Sequence, residues 1–257
     1  MGGTFDVNIS KKRPGTYINF VPEGKQTVKG SKRGTALLPL IGLGWGPDKG
    51  TIKLTAASPD AEMAKLGHSV YDDNDFMMLV RETFKGATTV VVYVINPGTK
   101  ATATAEGITL TAAYGGTRGN DISVACVAEA GKDTFAVKVY LEADVAEEYT
   151  GLSTVADLIA ANSGNYVVFT AESTEAKLTA FASAKLTGGA DGTVSNSAVT
   201  AFLDASEMIK WNTMALPVTE ETLKTAAIIK VKYLREECGK NAVSYTHLRA
   251  HETKANL

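Results

Sequence analysis

Hydrophobic and polar positions divide this chain into stretches with different periods. From Thr35 to Leu43 the residues are almost continuously apolar, the pattern of a strand buried on both faces, although Pro39 hints at an edge or a bulge. A turn at 44–47 and a short strand at 51–54 follow. Ser58 and Pro59 then suit the N-cap and first position of a helix that stops near Leu66 and Gly67. Asp73 or Asn74 caps the next helix, in which Phe76, Leu79, Val80, Thr83 and Phe84 form one face at helical spacing. The run from Thr88 to Ile95 is a buried β-branched strand, and the alternation of short elements predicts an α/β layer.

The period changes to two after about Lys100. Ile122, Val124 and Cys126 define one apolar face; Phe135, Val137, Val139 and Leu141 define another; 166–170 is a further strand, and one helix interrupts them at 153–161. This pattern predicts a small antiparallel β domain inserted into the α/β layer. Beyond the loop at 188–192 the helical period returns. Ser197 suits a helix cap, 212–216 reads as a buried strand, and Thr219 suits the cap of a longer helix. The apolar stripe of that helix is Leu223, Ala227, Val231, Leu234 and Cys238, and Gly239 ends it in the left-handed conformation.

The N-terminal stretch differs from all of this. Tyr17, Ile18, Asn19, Phe20 and Val21 make a short strand between turn residues, followed by a basic connector to Arg33. A strand isolated in this way needs a sheet edge to complete it, its own or a neighbour's. The expected organisation is an arm at 1–34, an α/β domain in two parts at 35–99 and 193–242, and an inserted β domain at 100–192. Residues 243–257 are set apart: they back-translate codon by codon into a transposon end followed by the primer, index and flow-cell tail of a short-read sequencing library. That stretch is expected to take no part in the fold, with the α/β core left incomplete at its C-terminal side.

Composition narrows the function. The chain of 257 residues is 44% hydrophobic and 21% charged, as ordinary globular proteins are. Its formal net charge is −2, so no basic surplus points to nucleic acid or an anionic membrane as partner. No stretch reaches the ~18 apolar residues of a membrane span, and the N-terminus lacks the pattern of a signal peptide. Cys126 and Cys238 lack metal-ligand spacing and read as two buried free thiols. Of the three histidines, His247 and His251 fall in the set-apart tail, and His68 reads as a solvent-exposed loop residue.

Candidate chemistry is sparse. Gly42, Gly44 and Gly46 follow a strand as in a dinucleotide loop, but Pro47 continues a turn where a helix is required. The glycine-rich stretch 115–121 precedes a strand and lacks a phosphate-loop ending. It reads as a hairpin turn in which Arg118, Asn120 and Asp121 make local or inter-subunit contacts. Asp72, Asp73 and Asp75 fit helix capping better than an incomplete calcium loop, and Glu220 and Glu221 suit the first turn of a helix. Neither a catalytic constellation nor a cofactor or metal site emerges.

Several motifs standing in order nevertheless resemble one family. They include Gly2 to Phe5, Arg13 to Phe20, Arg33 to Leu40, Gly44 to Pro47, Leu79 to Lys85, Tyr114 to Asp121, Leu186 to Gly189, and Trp211 to Pro217. Together they resemble a contractile-tail sheath protein of the compact type found in phages and prophage-derived particles of Gram-positive bacteria. The resemblance implies a non-enzymatic subunit that stacks as rings in a helical homo-oligomer around a tail tube protein. It implies further contacts with baseplate and tail terminator proteins, assembly in the host cytoplasm and residence in the virion tail. It also implies a substantial further C-terminal portion. Two other classes remain open: an α/β enzyme with a β insertion, and a different self-assembling surface structural protein.

Overall fold

The computed structural model describes residues 34–240 and 243–245, which fall in one compact unit. In chain order the first elements are β1 (Thr35–Ile41), β2 (Gly50–Thr55), α1 (Met63–Leu66), α2 (Asp75–Phe84) and β3 (Thr89–Ile95). The central stretch contains β4 (Lys100–Ala105), β5 (Ile108–Gly115), a 3₁₀ turn (Thr117–Asp121), β6 (Ile122–Ala128), β7 (Phe135–Leu141), β8 (Asp144–Leu152), α3 (Val155–Ala161), β9 (Val167–Ala171) and β10 (Phe181–Lys185). The last elements are α4 (Asn196–Ala205), β11 (Thr213–Ala215), α5 (Glu221–Glu236) and β12 (Val243–Tyr245).

Five strands make one mixed sheet in the order β12-β11-β1-β3-β2, parallel except for β2. Strand alternation sends Leu38, Leu40, Val90, Val92 and Val94 into a core with Met77 and Val80 of α2. The residues between them, Leu37, Tyr93 and Ile95, enter a second core with Phe202 and Leu203 of α4 and Leu223, Ala227, Val231 and Leu234 of α5. Both faces of β1 and β3 are therefore covered, which is why these strands read as unbroken apolar runs. Pro39 is not at a sheet edge. Its tolerance is local: the β1–β11 ladder ends at Leu37 opposite Met214, so Pro39 pairs only on its β3 side, opposite Tyr93.

The segment between β3 and α4 forms two antiparallel sheets, β10-β6-β7-β8 and β4-β5-β9. Their inner positions share one core, in which Ile108, Leu110, Ile122, Val124, Cys126, Val137 and Val139 meet Val155 and Leu158 of α3. Thr154 and Asp157 close a reciprocal capping box at the start of α3. Mixed α/β architecture with several sheets is thus the observed fold class.

Several local expectations need correction. Ser58 caps no helix: α1 is a single turn whose N-cap is Glu62, and the nearby Asp60 carboxylate instead accepts from Val70 N–H at 2.6 Å and Ser69 Oγ at 2.9 Å. Asn74 does cap α2, accepting from Phe76 N–H at 2.8 Å, but the buried stripe centres on Met77 and Val80. The caps of α4 and α5 are Ser195 and Glu220 rather than Ser197 and Thr219. Cys126 is buried, but Cys238 lies exposed beyond the end of α5. Gly239 is left-handed (φ 64°), and there the Lys240 N–H closes on the Leu234 carbonyl at 2.9 Å. The stretch expected to take no part in the fold contributes β12, whose Val243 N–H donates to the Asn212 carbonyl at 3.0 Å.

Candidate functional site

The polar residues singled out in the sequence converge where the α/β layer meets the β-sheets of the central segment. Four chain stretches cross there: the turn after β1, the β3–β4 junction, the 3₁₀ turn and the loop after β10. They approach with backbone nearly touching backbone. A Cβ at Gly115 would stand inside the envelope of the Gly98 carbonyl, and one at Gly116 (φ 117°) inside that of the Gly44 carbonyl.

Side chains stitch the crossing together. Asn96, 4% exposed, donates from Nδ2 to the Gly115 carbonyl at 2.7 Å and the Gly46 carbonyl at 3.1 Å, while its N–H donates to Asp48 Oδ1 at 2.9 Å. Asn120 exchanges two bonds with Gly189, and Asp191 accepts from Thr117 N–H at 2.7 Å and Thr117 Oγ1 at 2.9 Å. Each buried polar group in such a crossing requires a partner, so these contacts fix the geometry as well as adding to stability. Trp45, fully buried, lies edge-on to Tyr114 at 5.3 Å and donates from Nε1 to the Ala64 carbonyl at 2.7 Å. It belongs to the core of the central segment although it follows β1 in sequence.

Arg118 forms the outer edge of this seam. Its Nε donates to the Gly67 carbonyl at 2.9 Å, and Nη1 pairs with Asp121 at 3.0 Å and with Glu142 in the β7–β8 turn. The Arg118 guanidinium holds the Glu142 carboxyl below its ordinary 4.5. Beside it a cavity of about 230 Å³ is lined by His68, Asp72, Arg118, Glu142, Asp144 and neighbouring residues. His68 is not the exposed residue expected: its side chain is 17% accessible, with Nδ1 3.5 Å from Asp72 Oδ2. Burial, and then the Arg118 charge, hold its imidazole below the ordinary 6.5.

The structure therefore brings Arg118, Asn120 and Asp121 into one turn and gives them contacts within the chain, local between Arg118 and Asp121 and long-range from Arg118 to Gly67 and Glu142 and from Asn120 to Gly189. The turn that carries them is not a hairpin, because β5 and β6 lie in different sheets and the 3₁₀ turn is the corner between them. Asn96, Asp191 and Trp45 were missed. The only signal for Asn96 was a polar residue closing a β-branched strand just before Pro97 and Gly98. The arm residues Tyr17, Ile18, Asn19, Phe20 and Val21 lie outside the described residues. Among the described residues no group of three or more His, Cys, Asp or Glu is placed to hold a metal ion, and no helix is long and apolar enough to cross a membrane.

Comparison with known proteins shows what this chain is similar to. Residues 96–191 match the phage tail sheath protein beta-sandwich domain. Over 255 aligned residues the chain is 34% identical to uncharacterized protein YqbK of Bacillus subtilis (strain 168), covering 93% of this chain and 53% of that protein. It is 33% identical to the phage-like element PBSX protein XkdK of the same strain, covering 95% and 54%. The chain thus spans about half the length of the curated relatives it matches. Among solved structures, the sheath tail protein of Desulfitobacterium hafniense superposes with a TM-score of 0.70 at 33% identity, covering 90% of this chain and 52% of that one. That of Listeria innocua superposes at 0.73 and 34% identity, covering 84% and 48%. The chain is accordingly similar in sequence and fold to phage tail sheath proteins over most of its length, and residues 96–191 match their beta-sandwich domain.

Proposed function

We propose that this chain is a structural subunit of a contractile tail sheath, whose copies stack as rings around a tail tube and contract to drive the tube through a bacterial envelope. The observation that carries the reading is likeness in both sequence and fold to sheath tail proteins across most of the chain, at 33% and 34% identity. In this reading 35–99 and 193–242 belong to the sheath core and 100–192 is a β domain inserted into it. The tube, baseplate and tail terminator proteins are its partners. Assembly takes place in the host cytoplasm and the product is a virion tail or tail-like particle.

The arm strand at Tyr17, Ile18, Asn19, Phe20 and Val21 acts in trans by adding to a neighbour's sheet edge, where main-chain hydrogen bonds link subunits. A head-to-tail contact whose rotation does not close builds the helical array that a sheath requires. Contraction then exchanges one subunit packing for another while the linked arms hold neighbours together.

Immunogold electron microscopy tests the function. Antibodies raised against residues 34–240 should decorate contractile tail shafts along their length in preparations of induced particles. Gold confined to heads or baseplates, or absent from particles altogether, overturns the reading. In a tail-forming background, Ile18→Pro removes a ladder donor from the arm strand. It should leave subunits folded and soluble while abolishing long tubes, and normal tubes would refute the role of the arm.

A further inference from the structure

We propose that the seam between the α/β layer and the β7–β8 turn is an acid-weakened joint, with His68 as the group that senses the proton. The inference rests on geometry at the seam and is independent of the tail-sheath reading.

His68 follows Gly67, whose carbonyl accepts from Arg118 Nε at 2.9 Å, and the imidazole and the guanidinium share the wall of the cavity of about 230 Å³. The charged groups around it come from each element packed there. Its own loop supplies Asp72, 3.5 Å away, and Asp60, which is engaged with Ser69 and Val70. Helix α2 supplies Arg81, which donates to the Val70 and Asp72 carbonyls at 2.7 Å each. The 3₁₀ turn supplies Arg118 and Asp121, and the β7–β8 turn supplies Glu142 and Asp144. Asp121 and Glu142 are already paired with Arg118, and Asp72 Oδ2 already accepts from Ser69 N–H at 3.0 Å. An imidazolium formed in the closed seam would therefore be largely desolvated and beside a fixed guanidinium, a cost that the nearby Asp72 and Glu142 carboxylates offset only in part.

Loosening the β7–β8 turn and the 3₁₀ turn from the loop after α1 relieves this by hydrating His68. Protons therefore favour the open seam. In the closed form burial and Arg118 set the imidazole below its ordinary 6.5. A histidine lowered in this way contributes stability that is fully present above 6.5 and is lost as pH falls from 6.5 through the folded value. Within the described residues His68 is the only histidine, so the effect should map to one place.

Hydrogen exchange on the intact protein, at about pH 5 and about pH 8 and corrected for intrinsic rates, tests the proposal. Wild type should exchange faster at the acid pH in the peptides around Gly67, the 3₁₀ turn and Glu142, with the rest of the fold unchanged. In His68→Gln the corrected rates should coincide at the two pH values. An acid response that persists in the variant, or none in wild type, overturns the proposal. NMR titration of the assigned His68 ring in wild type supplies a readout that does not depend on the variant folding. Titration at or above the ordinary 6.5 refutes the joint as described.

Discussion

Asn120 and Gly189 exchange two hydrogen bonds across 69 residues of sequence: Asn120 Nδ2 donates to the Gly189 carbonyl at 2.8 Å, and Gly189 N–H donates to Asn120 Oδ1 at 2.9 Å. The amide thus acts as a surrogate strand neighbour, fixing the loop after β10 to the corner between β5 and β6. Asn120→Ala leaves both backbone groups unpaired, at a cost of about 1–3 kcal/mol. Asn120→Asp keeps the acceptor but points a carboxylate oxygen at the Gly189 carbonyl. It should destabilise at least as much, and chemical denaturation of the two variants beside wild type checks the order.

Asn96 makes a stronger case because it is buried. Its side chain donates to the carbonyls of Gly46 and Gly115, and no acceptor group would serve in its place. Asn96→Asp should therefore be more destabilising than Asn96→Ala, because it sets an anion between two carbonyl oxygens in a desolvated site. Gly116→Ala should be more severe than Asn96→Ala, since the new Cβ meets the backbone at Gly44 in a left-handed conformation. Thermal melts order these three variants, and Asn96→Asp proving milder than Asn96→Ala would show that the site is hydrated.

How much of this was legible in the sequence follows from the range of each interaction. The strand from Thr89 to Ile95, the Asn74 cap and the alternating faces of β6 and β7 are set by near neighbours, and their periods revealed them. The glycine-rich stretch at 115–121 announces a turn and suggests a hairpin, but turn chemistry does not say whether the next strand joins the same sheet. Here β6 joins a different one. Asn96 with Gly115, Thr117 with Asp191 and Trp45 with Tyr114 are single residues meeting across long separations, and no period announces them. His68 and Cys238 failed in opposite senses. A loop position suggests exposure for His68, but its side chain is only 17% accessible; a helical stripe suggests burial for Cys238, but the packed part of α5 ends before it.

Lys240 shows the same long-range logic at the other end of the fold. Its Nζ donates to the carbonyls of Ser206 at 3.1 Å, Glu207 at 2.7 Å and Ile209 at 2.8 Å, and it sits 5.5 Å from the centroid of the Trp211 ring. A cation thereby satisfies carbonyls just beyond the end of α4, where the helix dipole also favours positive charge. Lys240→Met keeps the aliphatic stem and removes the donors. The expected loss is about 1–3 kcal/mol, which for a chain of this size lowers the melting temperature by about 2–4 °C per kcal/mol. A melting temperature equal to wild type would mean that water replaces the ammonium at no cost.

The Arg118–Glu142 pair should leave its own mark on acid stability, separable from that of His68. Its hydrogen bond to Arg118, more than any other influence, holds the Glu142 carboxyl below its ordinary 4.5. A carboxylate lowered in this way contributes stability that is present above 4.5 and is lost as pH falls through the folded value. The histidine contribution begins to fade at 6.5 and the carboxylate contribution at 4.5, so the two losses begin at different pH. Glu142→Gln should chiefly flatten the lower limb of the stability profile and His68→Gln chiefly the upper, each shifting the other limb slightly because the imidazolium and the Glu142 carboxylate attract. The Glu142 side chain is 63% exposed, so solvent screens the pair and its limb should be the shallower one. Raising the salt concentration should shrink that limb further, because screening acts most on the exposed partner. Denaturant midpoints measured across the acid range for wild type and both variants check the assignment. A single limb abolished equally by either substitution would mean that the two groups titrate as one unit.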